Sequence, residues 1–479
     1  MNEIETFIAK YLMELREDNA AAFIGAGLSK AAGYVDWPGL IAPLAIELGL
    51  DPSQERDLVG VAQFYVNAHS NNRQQLNQQV FDAFSDLRSP TENHEILARL
   101  PIATFWTTNY DRLLETALED GGKRVDAKYA KAQLATTKRG RDVVLFKMHG
   151  DIEHPSEAIL TRDDYEKYYL THAPFVTALS GDLVEKTFLF IGFSFSDPNL
   201  DYVLSRVRIN FAQNQRQHYC IAKRRTRLKG ERDEEFQYAV TKQMLTVQDL
   251  MRFNIKTVFV DDYAEITGVL RALERRFRMR TVFVSGSAVE YGAWGREATE
   301  EFLRLLSAAL IKKDLRITTG FGLGVGGAVV TGAVQEIYST TTRAVSEQLV
   351  MRPFPRGIVD DVRRKQTYAR YREELVGQAG IALFLLGNKT GVAGTELASG
   401  VRAEFELARD RGLFLVPIGA TGFMAQQLWT EVMVNFDKYY PGARGAAAKP
   451  LMEVLGKAVA SPNELLDPIL KLIELLSRE

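Results

Sequence analysis

Four short polar stretches in the first half of the chain carry residue types suited to nucleotide chemistry. Thr108-Asn109-Tyr110-Asp111 ends the apolar run "ATFW" with an amide and a carboxylate two residues apart. Residues i and i+2 of a strand face the same side, so a strand continuing that far presents Asn109 and Asp111 together. The pair also suits a plain turn, because Asn and Asp side chains bond nearby backbone. Gly25-Ala26-Gly27-Leu28-Ser29 follows an apolar run and opens a helical pattern, bringing backbone N–H groups close to an anion. His149-Gly150-Asp151 puts an imidazole at a further strand end, either as a base working near neutral pH or as a structural hydrogen-bonder. Gly192-Phe193-Ser194-Phe195-Ser196-Asp197-Pro198 is the fourth stretch. Ligands of open α/β sheets bind at the carboxyl ends of strands. Four polar strand ends in one domain favour one nucleotide site over four independent turns.

The second half has three such turns: Ser285-Gly286-Ser287, Gly320 to Gly327, and Gly387-Asn388-Lys389. Gly322, Gly324 and Gly327 spell G-x-G-x-x-G between a strand and a helix, a weak signal alone. No acidic residue ends a strand about 20 residues further on, as dinucleotide readout requires. Arg352, Arg370, Arg372 and Lys389 are near enough in sequence to meet phosphates. Each alone also reads as a solvated surface charge.

The elements that must position these residues follow from the apolar runs. "AAFI", "ATFW", "DVVLFK", "KTFLFIGF", "RQHYCIAK" and "NIKTVFV" read as strands, with helical patterns between them. Continuous apolar strands alternating with helices predict a mostly parallel, doubly wound sheet. The rhythm restarts with "RTVFVSGS", "DLRITTG", "IALFLLG" and "GLFLVPIG". The expected fold is therefore α/β, with two Rossmann-like doubly wound domains over residues 1–280 and 281–479. The basic cluster "ERRFRMR" suits the negative end of a helix dipole. The closing "PNELLDPILKLIELLSRE" reads as an amphipathic helix for packing or self-association.

Bulk properties narrow the function classes. The 479 residues are too many for one ordinary domain. A formal net charge of −2 gives no global bias towards nucleic acid or acidic membranes. The single cysteine, Cys220, excludes an intrachain disulfide and a multi-cysteine zinc site. The first eighteen residues are acidic and amphipathic, unlike a signal peptide, and the longest apolar runs have strand length. A cytoplasmic setting is expected, without membrane, nucleic acid or metal.

"GAGLS", "TTNYD", "HG" and "GFSFSDPN", in this order, resemble the sirtuin family of NAD-consuming enzymes over roughly residues 15–270. The resemblance implies that Gly25, Ala26, Gly27 and Ser29 cradle a pyrophosphate. It further implies that Asn109 and Asp111 line the nicotinamide-ribose pocket, that His149 is the general base, and that Ser194 contacts the nucleotide. The sirtuin loop over the nicotinamide ribose corresponds to Gly33-Tyr34-Val35-Asp36-Trp37-Pro38, where Asp36 survives and the basic residue is lost. Zinc-dependent sirtuin deacylases carry two Cys-x-x-Cys pairs, and this chain has none. Simple NAD hydrolysis is therefore favoured over protein deacylation. A non-catalytic nucleotide-binding regulator is the remaining alternative.

Residues 280–475 resemble the SLOG superfamily of nucleotide-derivative sensors, through "SGSAVEY" and "GFGLGVG". A LOG-like phosphoribohydrolase fits less well, because its P-G-G-x-G-T-x-x-E signature is matched loosely by Gly400 and Glu404 alone. Sirtuin-like followed by SLOG-like is similar to the NADase effectors of Thoeris anti-phage defence. That resemblance implies activation by a cyclic ADP-ribose isomer made by a TIR-domain partner, in a homo-oligomer with a tetramer favoured. It places the activator against Ser285, Gly322, Leu323, Gly324, Arg372, Lys389 and Glu404. Arg372 and Lys389 then hold the pyrophosphate, and Glu404 the ribose hydroxyls or the base.

Overall fold

Mostly apolar runs of three to seven residues form the strands of two parallel sheets. The computed structural model describes residues 3–195, 197–211, 214–339, 344–355, 357–391 and 394–477. Ser196, part of the fourth polar turn, lies outside the described residues. The chain separates into two compact units, residues 1–274 and 275–479. The division falls within the helix Ala264–Arg278, whose last turn carries Arg275, Arg276 and Arg278.

The first unit has seven strands: β1 (Ala20–Ile24), β2 (Thr104–Thr107), β3 (Val125–Lys128), β4 (Val143–Lys147), β5 (Thr187–Ile191), β6 (His218–Lys223) and β7 (Ile255–Val260). Their order is β3-β4-β2-β1-β5-β6-β7, with every pairing parallel. All side chains of β1 and β5 are buried, as expected for strands covered on both faces. From β1 the chain moves outward to β2, β3 and β4, then crosses to β5 on the other side of β1. The topological switch point therefore lies between β1 and β5.

Register then aligns the strand ends. Ile24 pairs with Thr107 and with Ile191, and Thr107 pairs with Lys147. Four loops thus leave adjacent strands at one level. The helices Trp37–Glu47, Leu58–Ala68 and Gln74–Phe84, inserted between β1 and β2, form an apolar cluster with Tyr110, Leu113, Ile152 and Leu160. This cluster packs on the loops after β2 and β4.

The second unit has β8 (Thr281–Ser287), β9 (Arg316–Thr319), β10 (Leu349–Met351) and β11 (Ile381–Leu386). A hairpin of β12 (Asn388–Gly391) and β13 (Gly394–Leu397) and a final strand, β14 (Phe414–Pro417), follow. The five-stranded parallel sheet runs β10-β9-β8-β11-β14, so its switch point lies between β8 and β11. The last helix, Leu466–Ser477, buries Ile469, Leu472, Ile473 and Leu476 in this unit's core. At about 1.5–3 kcal/mol per buried side chain, those four contribute at most about 6–12 kcal/mol. No helix of the described residues is long and apolar enough to cross a membrane.

Candidate active site and candidate sensor site

The loop after β2 is fixed from its first residue. Thr107 Oγ1 donates to Ile24 O at 2.8 Å and accepts from the Asn109 amide at 2.9 Å. β2 ends at Thr107, so strand alternation does not place Asn109 and Asp111 together. Ser29 does. Its Oγ donates to Asp111 Oδ2 at 2.6 Å and accepts from Asn109 Nδ2 at 2.9 Å. Ser29 has one proton and gives it to the carboxylate, so its oxygen can only accept from Asn109. The amide orientation follows: Nδ2 faces Ser29, while Oδ1 is buried without a hydrogen-bond partner. An orphaned buried acceptor is costly, at about 1–3 kcal/mol, and such atoms mark places where a ligand hydroxyl or water is expected.

His149 stands at the corresponding position after β4, the strand beside β2. It is buried, with the rings of Tyr165 and Tyr168 edge-on at 5.6 and 6.3 Å. Its Nε2 lies 3.2 Å from Asp197 Oδ2 but off line for a hydrogen bond, so that nitrogen has no hydrogen-bond partner. Burial lowers the imidazole pKa below its ordinary value, against the pull of Asp197 and Asp164. The ring is therefore neutral at physiological pH and able to take a proton.

Asp197 and Tyr165 were not among the sequence-level candidates. Asp197 Oδ1 accepts from Leu200 N at 2.9 Å at the start of the helix Pro198–Phe211, and Oδ2 accepts from Tyr165 Oη at 3.2 Å. The "DPN" stretch carried the capping signal, but nothing in the sequence said which ring Asp197 would face. Burial, with Asp197 next, keeps the Tyr165 phenol protonated.

The other predicted contacts are distributed more widely. Gly25 and Gly27 pack on the turn after β5: a Cβ on Gly25 would sit 2.3 Å from Gly192 O. Their amides donate to Ile191 O and Gly192 O, both at 2.9 Å. Ala26 opens the short helix Ala26–Lys30, half-buried, and Ser194 is exposed. Asp36 caps the helix Trp37–Glu47 by accepting from Gly39 N at 3.1 Å, and pairs with Lys30. Among the described residues, no group of three or more His, Cys, Asp or Glu is placed to hold a metal.

In the second unit Ser285-Gly286-Ser287 is the end of β8 and not a turn, and it meets the turns after β9 and β11. A Cβ on Gly322 would lie 1.9 Å from Gly286 O, and one on Gly324 would lie 2.2 Å from Ala288 O. Gly387 N donates to Ser287 O at 2.9 Å. Asn388 mimics a strand partner for the loop after β8: Oδ1 accepts from Val289 N and Glu290 N, and Nδ2 donates to Glu290 O. Beside this junction, Ser285 Oγ donates to Glu404 Oε2 at 2.5 Å, and Arg372 Nε lies 3.6 Å from Glu404 Oε1. The Arg372 guanidinium also stacks over Phe354 and Tyr368, at 5.1 and 5.8 Å from the ring centres. Burial raises the Glu404 pKa, opposed by Ser285 and Arg372. Lys389 and Leu323 are exposed, with Lys389 Nζ 3.5 Å from Ser399 Oγ. Arg352 and Arg370 instead both pair with Glu374.

Comparison with known proteins identifies the two units. Residues 103–244 match the SIR2-like domain, and residues 265–476 match STALD, the Sir2- and TIR-associating SLOG family. The chain is 48% identical to the NAD(+) hydrolase ThsA of Bacillus cereus (strain MSX-D12), covering 99% of this chain and 98% of that one. The chain belongs to the ThsA family. A second member, the NAD(+) hydrolase ThsA of Acinetobacter baumannii (strain 532279), is 47% identical, covering 99% of both chains. A more distant relative, Defense-associated sirtuin 2 of Bacillus subtilis, is 26% identical over 43% of this chain and 21% of its own.

Proposed function

We propose that the chain hydrolyses NAD+ to nicotinamide and ADP-ribose, using Asn109 and His149, when a cyclic ADP-ribose isomer occupies the second unit. The observation that carries the reading is the pair of buried polar atoms lacking hydrogen-bond partners, Asn109 Oδ1 and His149 Nε2, at matching positions beyond adjacent strands. In the reaction the bond from the ribose C1′ to nicotinamide breaks, and its electron pair neutralises the pyridinium nitrogen. Water adds to the oxocarbenium-like carbon, and its proton passes to His149. The leaving group departs without acid help, so a positioned acceptor and a neutral base suffice. Asn109 Oδ1 orients the water or a ribose hydroxyl. Gly25, Ala26, Gly27, Ser29, Asp36, Asp111 and Ser194 bind the rest of the nucleotide.

In the second unit Arg372 and Lys389 take the pyrophosphate of the activator, and Glu404 its ribose hydroxyls or base. Ser285, Gly322, Leu323 and Gly324 complete that site. The activator comes from a TIR-domain partner, which the description of the matched SLOG family supports. The name of the distant relative supports a role in defence; on this reading that role is cytoplasmic anti-phage defence by NAD+ depletion. Gating acts through a homo-oligomer, with a tetramer favoured. A swing from 1:99 to 99:1 between inactive and active states needs about 5.5 kcal/mol of differential affinity for the activator.

The test is nicotinamide release by purified protein, with and without cyclic ADP-ribose isomers. Wild type is compared with Asn109→Ala, His149→Ala and Arg372→Ala. Tight nucleotide binding without nicotinamide release would identify a non-catalytic regulator, and turnover of an acyl-lysine peptide would identify a deacylase.

A further inference from the structure

Lys147, the last residue of β4, has a wholly buried side chain. Its three N–H donors are shared among four oxygens: Glu115 Oε1 at 2.8 Å, Asp151 Oδ2 at 2.5 Å, and the backbone carbonyls of Tyr110 at 3.1 Å and Asp111 at 2.6 Å. Burial favours the neutral amine, but Glu115 and Asp151 outweigh it and hold Lys147 above the usual lysine value. An apolar side chain would fill this space without desolvating three ionisable groups, so the charge calls for another explanation.

The positions of its partners supply one. β2 has ended at Thr107, so the carbonyls of Tyr110 and Asp111 lie beyond the regular sheet. Lys147 binds both. Asp111 is then held at both ends: its carbonyl by Lys147, its carboxylate by Leu113 N at 3.0 Å and by Ser29. Ser29 in turn holds Asn109. On the other side, Asp151 lies two residues after His149, and Ile152 N donates to Tyr110 O at 3.0 Å. One ammonium therefore ties the loop carrying Asn109 to the loop carrying His149.

We propose that Lys147 is a positioning residue for NAD+ cleavage, fixing the Asn109 and His149 loops relative to each other so that both side chains address one anomeric carbon. The proposal rests on the assignment of NAD+ hydrolysis to this site. It assigns Lys147 no contact with substrate.

The test uses the full-length protein. Lys147→Met combined with Glu115→Gln and Asp151→Asn removes the charges together, so no buried ion is left unpaired. Lys147→Arg is the second variant; it keeps the charge but cannot place one compact ammonium among four oxygens. The readouts are kcat for nicotinamide release, melting temperature, and affinity for ADP-ribose by calorimetry. A displacement of about 1 Å in a reacting group costs about 100-fold in rate, so kcat is expected to fall by that order in a variant that melts as wild type does. ADP-ribose affinity is expected to stay within about threefold, under about 0.7 kcal/mol. A folded variant with wild-type kcat overturns the proposal, and so does failure of both variants to fold, which assigns Lys147 to the fold alone. Wild type and His149→Ala run alongside. Loss of activity in His149→Ala together with full activity in the triple variant refutes the positioning role and leaves the hydrolase reading standing. Equal nicotinamide release by wild type and His149→Ala refutes the assignment of cleavage to this site, and absence of release by activated wild type refutes the hydrolase reading itself.

Discussion

The two units use one construction for opposite electrostatic ends. In each, a glycine turn beyond one strand packs on the end of a neighbouring strand or its turn at a distance only glycine allows, Gly25 on Gly192 and Gly322, after β9, on Gly286 at the end of β8. What stands beside the junction differs. The first unit presents uncharged groups with hydrogen-bonding capacity left over: an amide oxygen and an imidazole that burial keeps neutral. The second presents a guanidinium flanked by two aromatic faces and a carboxylate. A neutral, underused pair suits a bond-breaking step in which positive charge develops. A fixed cation suits recognition of an anion that stays intact.

The largest expected effect tests the first half of that contrast. Removing a general base lowers rates by roughly 10²–10⁴, about 3–5 kcal/mol of barrier, and His149→Ala should do so. Nicotinamide release measured by chromatography decides it; near-normal turnover makes His149 a structural residue. The pH profile is a finer check. Because burial lowers the His149 pKa, the acid limb of kcat should lie below the ordinary histidine value of 6.5.

Acid should also separate the units by stability. All six histidines, at positions 69, 94, 149, 154, 172 and 218, lie in the first unit. Burial lowers His218 to about 3 and His94 to about 4. The unfolded chain protonates these rings near pH 6.5 while the folded unit resists. Stability present above that pH is lost below it, at up to about 1.4 kcal/mol per pH unit for each ring. Carboxyls raised by burial work the other way, adding stability as pH falls: Glu115 and Asp182 in the first unit, against two strongly lowered histidines, and Glu404 in the second, with no histidine to oppose it. Calorimetry at pH 7 and pH 5 should show the transition of the first unit falling and that of the second holding. Equal shifts would end the contrast.

Smaller effects probe the second unit. Gly322→Ala drives a methyl into Gly286 O and should destabilise that unit by about 1–3 kcal/mol. Gly327→Ala meets nothing within 4 Å inside the helix Gly326–Tyr338, so it should stabilise by about 0.5–1 kcal/mol. Chemical denaturation orders the two. Arg372→Ala removes a charge-assisted contact worth about 1.5–3 kcal/mol and should raise the activator concentration for half-maximal cleavage at least about tenfold. An unchanged response removes Arg372 from the sensor site.

Much of this architecture was legible in the sequence. Runs such as "KTFLFIGF" and "IALFLLG" have strand length and no helical period, and they became β5 and β11. β3, "VDAK", carries two charges paired with each other, Lys128 and Asp126 at 2.8 Å, so its burial was invisible to an apolar pattern. β10 is three residues long, and the hairpin "NKTG" with "GTEL", exposed beyond its buried Asn388, shows no apolar alternation. At the site, same-side logic for Asn109 and Asp111 assumed a strand that stops at Thr107, and the two meet through Ser29, eighty residues away. Lys147 and Asp197 escaped notice because a lone charge near a strand end is ordinarily solvated. In the G-x-G-x-x-G stretch, the sterically demanding third position is Gly326, a Cβ of which would lie 2.6 Å from Phe321 Cα, and not Gly327.

The contact between Gly25 and Gly192 makes one knuckle of two loops far apart in sequence. One loop runs on into the stretch proposed to grip phosphate; the other runs on to Asp197, beside the imidazole. On the proposed assignment, a nucleotide tail held by the first therefore lies against the start of the second. A substrate lacking its diphosphate is then expected to cleave slowly even when its nicotinamide end fits.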